Sequence, residues 1–384
     1  MDFNLSEEQV LLKDAIDKLI LKEYSFEQRR RYGVTPEGWS RTFWGQLARQ
    51  SFLALPFAAE HGGLDGGPQE LMLVMEALGR GLVLEPYFGS VVVAGSILRH
   101  GASETQLARL VPRIAAGELL LALAQSEKQS RYELGDVLTA AGTDADGYVL
   151  NGAKIVVVHG DCADLLLVPA RSSGGQRDPD GISLFLVGAD AAGLRRRTYR
   201  TQDGLRAADL HLDGVRVGKE ALIGPLGGGL TILESAADEA IAALAAESVG
   251  CMQALLDLTV NYLKQRNQFG GPIGRFQALQ HRAAEMLMEL EQARSMAMYA
   301  ALMVSEPDPI ERRRAMSEVK VQISKSGRFV AQQAVQLHGG IGVTEEYAVG
   351  HYFKRLSMME ALFGDSDHHM ARLQTPLVHR GAIR

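Results

Sequence analysis

Apolar and polar positions recur along this chain with two different periods, and the change of period divides it into three regions. Ser6-Glu7-Glu8-Gln9 has the spacing of a helix-capping box, and Val10, Leu11, Ile16, Leu19 and Ile20 follow at helical intervals. Helical patterning continues to about residue 118, broken by the turn-rich EHGGLDGGP at 60–68. From about 119 to 225 the texture changes to short β-rich runs: LLLALA, GYVLNGAKIVVVHG, DLLLVPA, GISLFLVG and the alternating DLHLDGVRVG. Asp-Gly pairs at 146–147 and 213–214 stand where hairpins or loops need them. Beyond the glycines at 227–229 the pattern is helical again, in long amphipathic segments near 230–265, 276–304, 309–337 and 344–360. Such helices, rich in Ala, Leu and Met, bury one face against each other. The expectation is an α+β chain: an N-terminal all-α domain over 1–118, a mostly antiparallel middle β-domain over 119–225, and a C-terminal four-helix-bundle domain over 226–384.

Charge narrows the partners. With 384 residues, a formal charge of −6 and a pI near 6.0, the chain has no electrostatic footprint for nucleic acid, and the arginine runs at 29–31 and 195–197 read as solvated faces. Cys162 and Cys251 are the only cysteines, which argues against a disulfide framework and fits a reducing cytoplasm. The acidic start MDFNLSEEQ is unlike a signal peptide, and the apolar runs fall short of the ~20 residues of a membrane span. A soluble cytoplasmic protein is expected.

Residues 358–373, MMEALFGDSDHHMARL, concentrate acids and histidines. His368 and His369 are adjacent, so on a helix they point about 100° apart rather than at one ion, and no metal is expected. A helix start accounts for the acids: Gly364 ends the preceding element, Asp365 or Ser366 caps, and Asp367 favours the positive end of the dipole. Two motifs upstream are more specific. RNQFGGPIGRFQALQHRAAEM, from Arg266, sets a cation at a helix end before a Gly-Gly-Pro turn, with Gln277 entering the next helix. QLHGGIGVTEEYAVGHYFKRL, from Gln336, has paired glycines that let backbone N–H groups approach a phosphate.

In this order, ahead of a final helix pair, these motifs resemble the acyl-CoA dehydrogenase family over essentially the whole chain. Within it the chain is similar to the small subunits of pimeloyl-CoA dehydrogenases. The resemblance implies FAD bound between subunits and α,β-dehydrogenation of an acyl-CoA thioester, in which a carboxylate takes the α-proton and the flavin the β-hydride. It implies that Arg266, Gln277 and Gln336, Leu337, His338, Gly339 and Gly340 form the half of the FAD site donated to a neighbouring subunit, with the guanidinium on the pyrophosphate.

The accepting half departs from the family pattern. The family's T-E-P-x-A-G-S-D run becomes AQSEKQSRYELGD at 124–136, and its N-G-x-K-x-W-I-T becomes NGAKIVVV. Val156 then stands for the aromatic over the flavin and Val158 for a hydroxyl that valine lacks, although on composition both read as ordinary buried strand residues. Family members carry Y-E-G-T-S-Q at the final turn; here L-F-G-D-S-D puts Phe363 at the base, Asp365 at the Thr and Asp367 at the Gln. Relatives with the base on the first long C-terminal helix would have it at Ala240, just after Asp238 and Glu239.

An intact donating half beside an altered accepting half implies the small subunit of a heterotetramer, completing an FAD site whose pocket and base come from a related large subunit. Some such pairs act on steroid side-chain thioesters. The alternatives are a homotetramer with a relocated base, at Asp238, Glu239 or Asp365, and a scaffold that binds no flavin. Arg131 in the altered loop is a candidate anchor for the distal carboxylate of a dicarboxyl-CoA. By resemblance the electron acceptor is electron-transfer flavoprotein, and the pathway is fatty or dicarboxylic acid degradation.

Overall fold

The structure is a computed structural model and describes residues 5–379. Among them the chain runs through helices α1 (Glu7–Glu23), α2 (Phe26–Gly33), α3 (Arg41–Arg49), α4 (Pro68–Gly81), α5 (Gly95–Gly101) and α6 (Glu104–Ala115). Strands β1 (Leu121–Leu123), β2 (Ala140–Thr143), β3 (Gly147–Val158), β4 (Leu165–Arg171), β5 (Ile182–Gly188), β6 (Leu194–Arg200), β7 (Arg206–Gly218) and β8 (Leu222–Ile223) follow. The remainder is α7 (Gly229–Gln265), a hairpin of β9 (Asn267–Gln268) and β10 (Gly271–Pro272), α8 (Gln277–Met303), α9 (Pro309–His338), α10 (Ala348–Ala361) and α11 (Ser366–His379). Helices, then a sheet, then helices is the order the periodicity implies.

Local chemistry sets the element starts. Ser6 and Gln9 form the reciprocal capping box, with Gln9 N–H donating to Ser6 Oγ at 3.2 Å and Ser6 N–H to Gln9 Oε1 at 3.0 Å. Ser103 and Gln106 repeat the arrangement at α6, while Asp308 caps α9 with Pro309 in its first turn.

Packing groups the elements into two compact units. One comprises residues 32–67 and 84–240 and holds the large sheet, in the order β6-β7-β3-β2-β4-β5-β8, with β1 pairing β4 in parallel. The other ladders are antiparallel except for a single parallel bridge of β2 to β4. Leu150, Val157, Leu166, Val168, Phe185 and Leu210 are among the residues of its core. The sheet is mixed rather than wholly antiparallel because β1 and β4 are joined through β2 and β3, a crossover long enough for parallel pairing.

The other unit comprises residues up to 31, 68–83 and from 241 on, with α8, α10 and α11 packed around α9. Within it α4 meets α7 closely: a β-carbon on Gly79 would collide with the Glu247 carbonyl, and one on Gly250 with the Glu76 carbonyl. Although no continuous apolar run reaches spanning length, α7 qualifies by helix length and by an 18-residue window of mean hydropathy 1.4. That window is 78% buried in protein, the character of a core helix.

Candidate active site

The unit of long helices presents two exposed pieces. At the end of α7 the Arg266 side chain is exposed and, among the described residues, meets no carboxylate partner. The hairpin behind it turns through Phe269 (φ 53°) and Gly270 (φ 83°), two successive left-handed residues as a two-residue type I′ loop requires. Phe269 stands 81% exposed at the tip, edge-to-face with Phe276 at 6.0 Å, and the Arg275 guanidinium lies 5.2 Å from the Phe276 ring centre. Gln277 opens α8 and is exposed. Sequence reasoning missed Phe269; its signal was an apolar residue at a hairpin tip, where water is the default neighbour.

At the end of α9 the five motif residues divide. Gln336, Gly339 and Gly340 are exposed, and a β-carbon at either glycine would have nothing within 4 Å. Leu337 and His338 turn inward, at 6% and 2% exposure. The His338 ring lies 4.5 Å from Tyr262 and 5.1 Å from Tyr347, and its Nδ1–H donates to the Ala334 carbonyl at 2.8 Å. Burial lowers its pKa, so it is a neutral core histidine. An exposed guanidinium, an exposed glutamine and open glycine backbone fit the pyrophosphate of a dinucleotide.

The final turn is held from beneath. Phe363 is half-buried at φ 58° and Gly364 follows at φ 108°, where a β-carbon would come 2.6 Å from His369 Nε2. Asp365 Oδ1 accepts from the His368 N–H at 2.8 Å, so of the two caps the sequence allowed, Asp365 or Ser366, it is Asp365 that caps α11. Both ring nitrogens of His369 are engaged, Nε2 with the Phe363 carbonyl at 3.0 Å and Nδ1 with Ser317 Oγ at 3.1 Å. The ring is therefore committed to protein groups rather than to an ion. Asp367 is exposed.

The sheet-containing unit carries the remaining candidates. Glu239 is bonded to Arg99 and, through Oε1, to His100 Nε2 at 2.8 Å. Burial works to raise its pKa, yet the His100 hydrogen bond and the Arg99 and His100 charges outweigh it and hold the carboxyl below its ordinary value. A base for an α-proton needs the opposite tuning, so the geometry gives Glu239 an ion-pair role instead. Asp238 is 3% exposed.

In the 124–136 loop, Glu127 accepts from Lys154 Nζ at 2.7 Å, from the N–H groups of Leu138 at 2.9 Å and Thr139 at 3.1 Å, and from Gln129 Nε2 at 2.9 Å. Burial opposes its ionisation, but Lys154 and these donors prevail and its pKa is lowered. Asp136 closes the other end through Gln176 at 2.7 Å and Arg177 at 2.8 Å. Between these anchors Arg131 is exposed at φ 44°, with its guanidinium 5.9 Å from the Tyr132 ring centre.

Val156 corrects the reading of buried strand valines. A bulge between Lys154 and Val157 puts Val156 at φ 50° and 41% exposure, with its N–H on Asp209 Oδ1 at 3.1 Å, while Val157 is the buried one. No hydroxyl stands at Val158. In the next turn His159, Asp161 and Cys162 bring possible ligand atoms within 4.8 Å of one another, and Asp161 Oδ2 already pairs with Arg206 Nε at 2.7 Å.

The class of the protein, oxidoreductases acting on the CH–CH group of an acyl-CoA, comes from comparison with known families. Models described as the N-terminal, middle and C-terminal domains of acyl-CoA dehydrogenase match residues 6–118, 122–215 and 227–377. This chain belongs to the acyl-CoA dehydrogenase family, whose members bind FAD. It is 29% identical over 372 residues to the probable acyl-CoA dehydrogenase YngJ of Bacillus subtilis, covering 96% of this chain and 97% of that one. It is also 29% identical over 340 residues to the mitochondrial long-chain specific acyl-CoA dehydrogenase of Sus scrofa, covering 87% and 78%. Among solved structures, the Tcur3481-Tcur3483 steroid ACAD matches at TM-score 0.87 and 28% identity, over 98% of this chain and 99% of that one.

Proposed function

We propose that this chain is the small subunit of a two-chain acyl-CoA dehydrogenase, organised as the three domains 1–118, 119–225 and 226–384. It completes an FAD site whose pocket and base are supplied by a related large subunit. The carrying observation is the contrast between the two halves. Arg266, Gln277 and the Gly339–Gly340 backbone are open to a ligand, whereas the turn that would hold a base presents Phe363, a side chain that accepts no proton. The steroid relative bears a double designation, Tcur3481-Tcur3483, which supports a paired assembly.

When bound, FAD supplies the hydride acceptor. Arg266 would pair with its pyrophosphate, Gln277 would hydrogen-bond beside it, and the two glycines would let its adenosine part approach bare backbone. The Glu239 ion pairs disfavour the homotetramer with a base at that residue, and substitution of Asp238 and Asp365 tests the other two positions. Electron-transfer flavoprotein is the acceptor in this reading, and the cytoplasm the location.

Two substitutions check it. Arg266→Met in this chain alone lowers the flavin content of the co-expressed complex, and unchanged content contradicts the assignment. For substrate, Arg131→Ala raises KM for a dicarboxyl-CoA about 10-fold and leaves a monocarboxyl-CoA of equal length unchanged. Equal effects on both substrates remove Arg131 from the site.

A further inference from the structure

The end of α10 has an unusual cap. A helix C-terminus leaves its last four carbonyls without intrahelical partners, and here one side chain from another helix takes two of them and the cap residue's carbonyl just beyond. Lys320 of α9 is 3% exposed, and its Nζ donates to the carbonyls of Met359 at 2.7 Å, Glu360 at 3.2 Å and Leu362 at 2.6 Å. An ammonium has three donors, and all three are used. The next carbonyl, that of Phe363, is taken by His369 Nε2 at 3.0 Å. A carbonyl only accepts, so Nε2 carries the ring proton, while Nδ1 lies 3.1 Å from Ser317 Oγ, whose single O–H is shared between that nitrogen and the Arg313 carbonyl at 3.0 Å. Ser317 and Lys320 lie three residues apart on α9, one turn on the same face. They meet a turn in which Phe363 and Gly364 both have positive φ, a conformation an aromatic residue holds only when its surroundings impose it.

We propose that Lys320 and His369 are positioning residues that set the height and backbone conformation of the 362–365 turn. The clamp rests on geometry, and on the acyl-CoA dehydrogenase reading above only for what the turn is compared with.

The clamp is charge-dependent. The groups facing Lys320 are Glu360 of α10, Asp365 of the turn and the neutral His369 of α11, and Glu360 is itself bonded to Arg328. Burial lowers the Lys320 pKa to about 7, against the raising influence of Glu360 and Asp365. Deprotonation removes one donor and turns a lone pair towards a carbonyl, so the turn loosens as pH rises through that value. Stability moves the other way. Between about 7 and the ordinary lysine value of 10.5 the unfolded chain binds a proton that the folded one lacks, so this group's contribution to stability rises with pH.

The test uses the co-expressed complex with this chain as wild type, Lys320→Met or His369→Gln. Hydrogen exchange of the 362–369 amides, corrected for intrinsic rates, reads the clamp without needing turnover. Wild type is expected to lose protection above pH 7, and Lys320→Met to be less protected and flat with pH. Equal protection in wild type and Lys320→Met, or the same pH dependence of protection in both, overturns the proposal. If Lys320→Met does not fold, His369→Gln carries the test, with loss of protection confined to 362–369 expected and unchanged protection contrary. A complex that dehydrogenates no acyl-CoA would overturn the family reading of the site, and the exchange data would still decide the clamp.

Discussion

His369 is a histidine that folding keeps from its proton. Burial dominates and pushes its pKa down to about 3, against the raising influence of the Phe363 carbonyl. The folded value lies below the unfolded one near 6.5, so its stabilising effect is complete above that value and is lost as pH falls towards 3. Between pH 7 and 5, wild type should lose about 2 kcal/mol more stability than His369→Gln, measured by urea unfolding. Parallel losses would mean that the histidine takes up its proton in place. At this scale the sequence was partly legible. Asp365 was readable as a cap because capping is local, two or three residues apart. The partners of His369 and Glu127 were not, because Ser317 lies 52 residues from His369 and Lys154 lies 27 from Glu127, separations on which spacing rules are silent.

Elements were legible where a single period ran long, and less so where two elements touch. The bulge in β3 re-aims Val156, and nothing in NGAKIVVV marks an extra residue on that strand. The contact of α4 with α7 depends on Gly79 and Gly250, each read from sequence as one more helical position. Gly250→Ala is expected to cost about 1–3 kcal/mol through overpacking, and a variant as stable as wild type would show that the helices separate freely. Along the same helix Glu247 receives Arg355 of α10 through Nε at 2.6 Å and Nη2 at 2.8 Å, with both side chains buried. Glu247→Gln leaves the guanidinium without a full countercharge and should cost about 3–5 kcal/mol in chemical denaturation, whereas a loss under about 1 kcal/mol would place water at the pair.

For the whole molecule, helix–sheet–helix order and the two C-terminal motifs sufficed to place the chain in its family, and the three matching family regions agree. What order and motif did not disclose is which half of each motif faces outward. Glycines 339 and 340 do, and His338 does not, because burial depends on Tyr262 and Tyr347, which the chain brings from two other segments. The central claim is that this chain shares one flavin site with an unlike partner. The most direct measurement is flavin absorbance together with native mass, for the chain purified alone and co-expressed with a related large dehydrogenase subunit. The account predicts a colourless lone chain and a yellow tetramer of two unlike chains with one FAD per pair. A yellow homotetramer with one FAD in each copy, bleached by an acyl-CoA, would contradict it.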